Sequence, residues 1–134
     1  GPTGDYPELV VIDNITNVLT GGENDTDPFA GLEALLDYFH TTARDTGSCI
    51  IGLHHVQGQY NDQNKPIPLS GVKNQVSRVP ELILTLHRVS STYGPDLLNV
   101  SAVKNRGAKF DPSGQDFVSL EFHGDTMTIK DARV

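Results

Sequence analysis

The sequence contains no Gly-Lys dipeptide, and therefore no G-x-x-x-x-G-K-[ST] phosphate loop. This excludes a chain that grips a nucleoside triphosphate by that route unaided. There is one cysteine, Cys49, and no tryptophan. A lone cysteine excludes an internal disulfide, and with no Cys or His at ligand spacing it makes no zinc site. Set in an apolar run, Cys49 reads as a small buried hydrophobe in a reducing compartment. No apolar run approaches the roughly 20 residues of a membrane span, so no membrane partner is expected. Positive charge is scarce: ten Lys and Arg stand against seventeen Asp and Glu, for a net charge of −7. That balance argues against a freestanding nucleic-acid binder with a basic face and leaves room for local contact through one basic loop. Internal repeats and low-complexity tracts are also missing.

What remains fits one globular domain: 134 residues, 37% apolar and 20% charged. Gly1-Pro2-Thr3-Gly4 reads as a cleavage scar, leaving residues 5–134 as the domain. Leu9 to Ile12 is a short apolar run of β-branched type, the pattern of a strand buried on both faces, and it ends in Asp13. Residues 16–26, with Gly21-Gly22, read as a loop. Asp27-Pro28 provides an N-cap and a first-turn proline. Phe29, Leu32, Leu35, Leu36, Phe39 and Ala43 follow as one helical stripe, and Gly47 stops the helix. Cys49 to Leu53 is a second strand. Strand, helix, strand makes a right-handed βαβ unit and an α/β fold class with parallel strands and covering helices. Gln57 to Pro68 reads as a polar surface loop and Val72 to Arg78 as a short helix. Further strands are expected at Glu81–His87 and Leu98–Val103. Phe117 to Phe122, the turn at Gly124-Asp125 and a return over Met127–Ile129 form an antiparallel hairpin region.

Open α/β sheets place their sites at the carboxyl ends of parallel strands. Asp13 stands there on the first strand, His54 and His55 on the second, and Lys104 and Arg106 just past the fourth. One rim would then gather an acid, two imidazoles and two cations, a set suited to a phosphate chain with magnesium. Plainer readings stand beside this one. Asp13 also fits a strand terminator or Asx turn, the histidines fit surface groups, and Lys104 and Arg106 fit solvated charges. His40 and His123 read as structural or exposed, and His87 as satisfying a polar strand edge. Asn24-Asp25-Thr26-Asp27 fits capping better than a calcium loop. Tyr60 fits either an exposed loop tyrosine or a base-stacking one.

The order of these segments resembles a family. Leu9-Val10-Val11-Ile12-Asp13 resembles a Walker B strand, and Ile50-Ile51-Gly52-Leu53-His54-His55-Val56 the sensor strand of RecA-like ATPases. Pro80 to Arg88 is similar to the A-D-L-I strand of DnaB-type replicative helicases. Val103-Lys104-Asn105-Arg106-Gly107 is similar to their K-x-R-x-G segment. The resemblance covers nearly the whole chain and implies the carboxyl-terminal portion of one RecA-like ATPase domain, bacterial or phage in style. It implies ATP and magnesium as cofactors, with Asp13 holding the ion through water and His54 beside it. It further implies His55 as the γ-phosphate sensor, and Lys104 and Arg106 reaching a neighbouring subunit's nucleotide in trans, a task suited to guanidinium. Lys65, Lys73, Arg78 and Tyr60 fall in the segments that face single-stranded DNA in the family. A homo-oligomeric ring or filament in the cytoplasm of a bacterial or phage-infected cell follows, acting as helicase or recombinase. The family's phosphate loop and catalytic glutamate are missing, so ATP hydrolysis is expected only with a complementary amino-terminal half. Two alternatives remain: a non-catalytic subunit or inhibitor that binds such a partner, and a small metal-dependent hydrolase using Asp13, His54 and His55. Adjacent residues of a strand point to opposite faces, which weighs against the hydrolase.

Overall fold

A computed structural model describes residues 5–18, 31–56, 58–60 and 64–132. The chain divides into two compact units, Gly1–His55 with Asn74–Pro80, and Val56–Lys73 with Glu81–Val134.

The first unit holds β1 (Leu9–Asp13), α1 (Ile15–Val18), α2 (Leu32–Thr46), β2 (Cys49–Leu53) and α3 (Asn74–Ser77). β1 and β2 pair in parallel, Leu9 opposite Cys49 through Asp13 opposite Leu53. The apolar stripe of α2 faces inward as its spacing requires: Leu32 and Leu36 are buried, and Leu35, Phe39 and Ala43 half-buried. Gly47 closes the helix in the left-handed conformation, φ 74°, its N–H donating to the Ala43 carbonyl at 2.9 Å. Asp27, Pro28 and Phe29, expected to open this helix, lie outside the described residues. Ile15 is buried and seats directly on β2, because a Cβ at Gly52 would meet its Cγ2 at 2.7 Å. The opposite face of the pair, Leu9, Val11, Cys49, Ile51 and Leu53, is exposed. Cys49 is thus not the buried hydrophobe its apolar surroundings suggested: the alternation of β2 turns it outward.

The second unit is a four-stranded antiparallel sheet in the order β3 (Leu82–Val89), β4 (Asp96–Asn105), β5 (Phe117–His123), β6 (Thr128–Asp131). The β5–β6 hairpin turns where Gly124-Asp125 signalled it, with Met127 at φ 54°. Register places Thr85 beside Ser101, His87 beside Asn99, and Asn99 beside Ser119 on one face. Leu86 beside Val100, Val100 beside Val118, Leu98 beside Leu120 and Phe122 beside Ile129 lie on the other. The polar face is the covered one. The Thr85 hydroxyl donates to the Ile67 carbonyl at 2.7 Å and the Ser101 hydroxyl to the Gly114 carbonyl at 2.8 Å. The two loops that supply these carbonyls are joined by the Leu69 N–H to the Pro112 carbonyl at 2.8 Å. Gly114, φ 75°, lies so close to the Ile67 carbonyl that a Cβ would sit 2.7 Å from its oxygen.

This architecture corrects the expectation of a RecA-like core, a parallel sheet with covering helices. Among the described residues only β1 and β2 run parallel, β3 to β6 form a separate antiparallel sheet, and α2 is the one helix longer than four residues. The reason lies in the connections. A parallel crossover needs a dozen or more residues, whereas β3 and β4 are joined by residues 90–95 alone. That link is closed by the Ser91 N–H donating to Asp96 Oδ1 at 3.0 Å and by Arg88 paired with Asp96 at 2.6 Å. β4 therefore runs back along β3, and its carboxyl end meets the start of β3, Asn105 opposite Leu82.

Candidate functional site

Asp13 ends β1 with its side chain exposed, opposite Leu53, the last residue of β2. The chain runs directly from Leu53 into His54 and His55. The acid and both imidazoles therefore leave the parallel pair at the same end, the carboxyl end, as the sequence indicated. Just past Asp13, the Asn14 side chain caps α1, its Oδ1 accepting from the Thr16 N–H at 3.0 Å and the Thr16 hydroxyl at 2.7 Å. His54 is half-buried. Burial first, and the neighbouring His55 second, push its pKa below the ordinary histidine value. At neutral pH His54 is an uncharged imidazole, a group that passes a proton or polarises a phosphate oxygen without adding charge. His55 is exposed.

Among the described residues no three His, Cys, Asp or Glu side chains gather to hold a metal ion. Among the described residues, Asp13 is the carboxylate at this rim, beside the two imidazoles. It fits magnesium, which keeps most of its waters and takes one or two carboxylates together with phosphate oxygens. It does not fit an all-protein zinc or manganese cage.

The cations expected at the same rim belong to the second unit. Lys104 is half-buried on β4, opposite Ile83. Arg106 is exposed in the turn after β4, its backbone N–H donating to the Glu81 carbonyl at 3.0 Å. β4 belongs to a separate antiparallel sheet, so the expectation that these two residues stand on one parallel-sheet rim with Asp13, His54 and His55 is withdrawn with the parallel sheet. Of the residues expected to face DNA, Lys65 and Lys73 are exposed at the two ends of the loop that the sheet's polar face clamps. Tyr60 is half-buried, and its ring lies against Gly71, where a Cβ would meet Cε2 at 2.8 Å. Arg78 falls in the first unit, where its guanidinium meets Glu33 at 2.8 Å and Asp37 at 3.2 Å on the exposed side of α2.

Sequence reasoning missed one polar cluster. His87 was read as a polar edge, yet it is buried in the covered face of the second sheet. Its Nε2 lies 3.1 Å from Asn99 Nδ2, and Asn99 Oδ1 accepts from the Ser119 hydroxyl at 2.6 Å. With the amide so oriented, Nε2 is the acceptor and the ring proton sits on Nδ1, which is buried without a hydrogen-bond partner. The Phe117 ring stands edge-on at 4.9 Å. Burial lowers the His87 pKa, so the ring is neutral. The signal was present in the alternation of Thr85 and His87 with Leu84 and Leu86. His123, read as structural or exposed, lies 3.2 Å from Glu121.

No family model matches the chain. It is similar to the Gene 65 protein of Mycobacterium phage L5, 67% identical over 127 residues, and to the Gene 65 protein of Mycobacterium phage D29, 64% identical over 127 residues. Each match takes in 95% of this chain, but 47% of the L5 protein and 55% of the D29 protein. The chain thus spans about half the length of the curated, phage-encoded relatives it matches.

Proposed function

We propose that the chain is the portion of a phage-encoded, ATP-driven DNA motor, helicase or recombinase, that supplies the magnesium acid and phosphate sensor but not the nucleotide grip. The observation that carries this reading is the exit of Asp13 and His54-His55 from one end of two register-paired parallel strands. In this reading Asp13 orients the hydrated magnesium ion, and His55 senses the γ-phosphate with the neutral His54 beside it. Lys104 and Arg106 act on a neighbouring protomer's nucleotide, so the working form is a homo-oligomer. Lys65 and Lys73 touch the DNA backbone without reading sequence. Support also comes from length. The relatives extend well beyond the matched portion, with room for a phosphate loop. The setting is the cytoplasm of the infected bacterium, in keeping with the phage relatives and with the finding that no helix among the described residues is long and apolar enough to cross a membrane.

The test is magnesium-dependent ATP turnover, with and without single-stranded DNA, by this chain and by the full-length L5 Gene 65 protein. The expected result is no turnover by the chain and DNA-stimulated turnover by the longer protein. Turnover by the chain alone, or an inert full-length protein, sinks the reading.

A further inference from the structure

The second sheet is covered on the wrong side for its chemistry. Thr85, His87, Asn99 and Ser101, on the covered face, are 7% exposed or less. On the other face Leu84, Leu86, Val118 and Ile129 are each 47–54% exposed. Leu98, Val100, Ala102, Leu120 and Phe122 stand between them and are half-buried. A stable domain lays a second layer on the apolar face of a sheet, and an open apolar face this continuous marks an interface.

The charges on this face say what kind of interface it is. At one end the Arg88 guanidinium is already paired with Asp96 at 2.6 Å, and it lies 4.8 Å over the Phe122 ring. Register also places Asp131 on this face, opposite Leu120, but the strip from Leu84 and Leu86 through Ala102 and Val100 to Val118 is apolar, with no charge to steer a separately diffusing partner. That is the composition of a permanent, core-like contact, not of a transient one. Length supplies the occupant, since 53% of the L5 protein and 45% of the D29 protein lie beyond the matched portion.

We infer that the apolar face of β3–β6 is an internal interface, covered in the full-length protein by an apolar layer from the part of the polypeptide that lies outside this chain. The inference does not depend on the ATPase reading. An inactive full-length protein with the face covered leaves it standing.

The test compares this chain with a chimera in which it replaces the 127 matched residues of the L5 Gene 65 protein. Hydroxyl-radical footprinting reads side-chain exposure directly. Leu84, Leu86, Val118 and Ile129 are expected to label strongly in the chain and several-fold less in the chimera, with the loop around Tyr93 labelling equally in both. A Leu86→Lys substitution is expected to leave the melting temperature of the chain unchanged or raised and to lower that of the chimera. If the lysine variant of the chimera does not fold, the footprint of the unsubstituted pair decides. Equal labelling of the four residues in both proteins overturns the inference. So does a dimer of the chain alone, by sedimentation, that already protects them, for a second copy is then the occupant.

Discussion

The two units divide both charge and covering chemistry between them. The first holds nine Asp and Glu against two Lys and Arg, and so the whole net charge of −7; the second holds eight of each sign. In the first, the covered face of the sheet is held by apolar seats, Ile15 on Gly52 and the stripe of α2. In the second, it is held by hydroxyls that anchor loops: Thr85 on Ile67 and Ser101 on Gly114. An apolar seat is non-directional and forgives small shifts, whereas a buried hydroxyl–carbonyl bond fixes one loop geometry and is costly to leave half-made. The first unit thus carries an acid at a sheet end, and the second holds a loop with exposed lysines in one place.

The largest expected effect lies in activity. In the full-length chimera, Arg106→Ala lowers ATP turnover by roughly 10³-fold if the guanidinium acts in trans, while Asp13→Asn removes the magnesium dependence along with most of the rate. Mixing the two variants restores part of the turnover, because each supplies what the other lacks. Failure of mixing to do so breaks the assignment of one residue to its own protomer and the other to its neighbour.

Next comes a paired glycine test of the covering chemistry. Gly52→Ala and Gly114→Ala each place a Cβ 2.7 Å from a neighbour, but the neighbour is the Ile15 side chain in one and the Ile67 backbone carbonyl in the other. Gly114 also has φ 75°, which an alanine resists. Gly114→Ala is expected to cost about 3 kcal/mol and Gly52→Ala about 1 kcal/mol, read by urea unfolding. Equal costs would erase the proposed contrast between a yielding seat and a rigid clamp. Thr85→Val, which leaves the Ile67 carbonyl without its donor, should cost about 1–2 kcal/mol and loosen the loop that carries Lys65.

Acid sharpens the comparison further. His54 and His87 both have pKa values lowered by burial, so the folded protein holds them neutral. Unfolding lets them take up protons as pH falls below about 6.5. Their contribution is therefore fully present above that pH and is lost as pH falls through it toward the lower folded values. Urea titrations resolved by amide NMR should show both units weakening between neutral and mildly acidic pH. His87→Gln is expected to flatten the slope of the second unit only. The smallest effect is expected at Arg78. Its pairs with Glu33 and Asp37 are solvent-exposed, and Arg78→Ala should shift melting little at low salt and not at all at high salt.

Element positions were largely legible. β-branched runs gave β1 and β2, a 3.6-residue stripe and a glycine stop gave α2, and a Gly-Asp turn gave the β5–β6 hairpin. The relation of Asp13 to His54-His55 was legible too, since strand, helix, strand leaves little choice but parallel pairing. The strand direction of β4 was misread, although its short link to β3 already forbade a crossover. With β4 in a separate antiparallel sheet, strand direction no longer places Lys104 and Arg106 on a shared rim. The cluster of His87, Asn99 and Ser119 was half legible: alternation put these residues on one face, and nothing local said that the face would be inside.

Which residues share a strand face follows from the chain alone, because side chains alternate with a period of two and register then carries that alternation across the sheet. Which of the two faces is covered is a property of the whole molecule. In the second unit the loops that reach Ile67 and Gly114 over the sheet decide it, by supplying carbonyls that make burial of Thr85 and Ser101 affordable and by leaving the leucines outside.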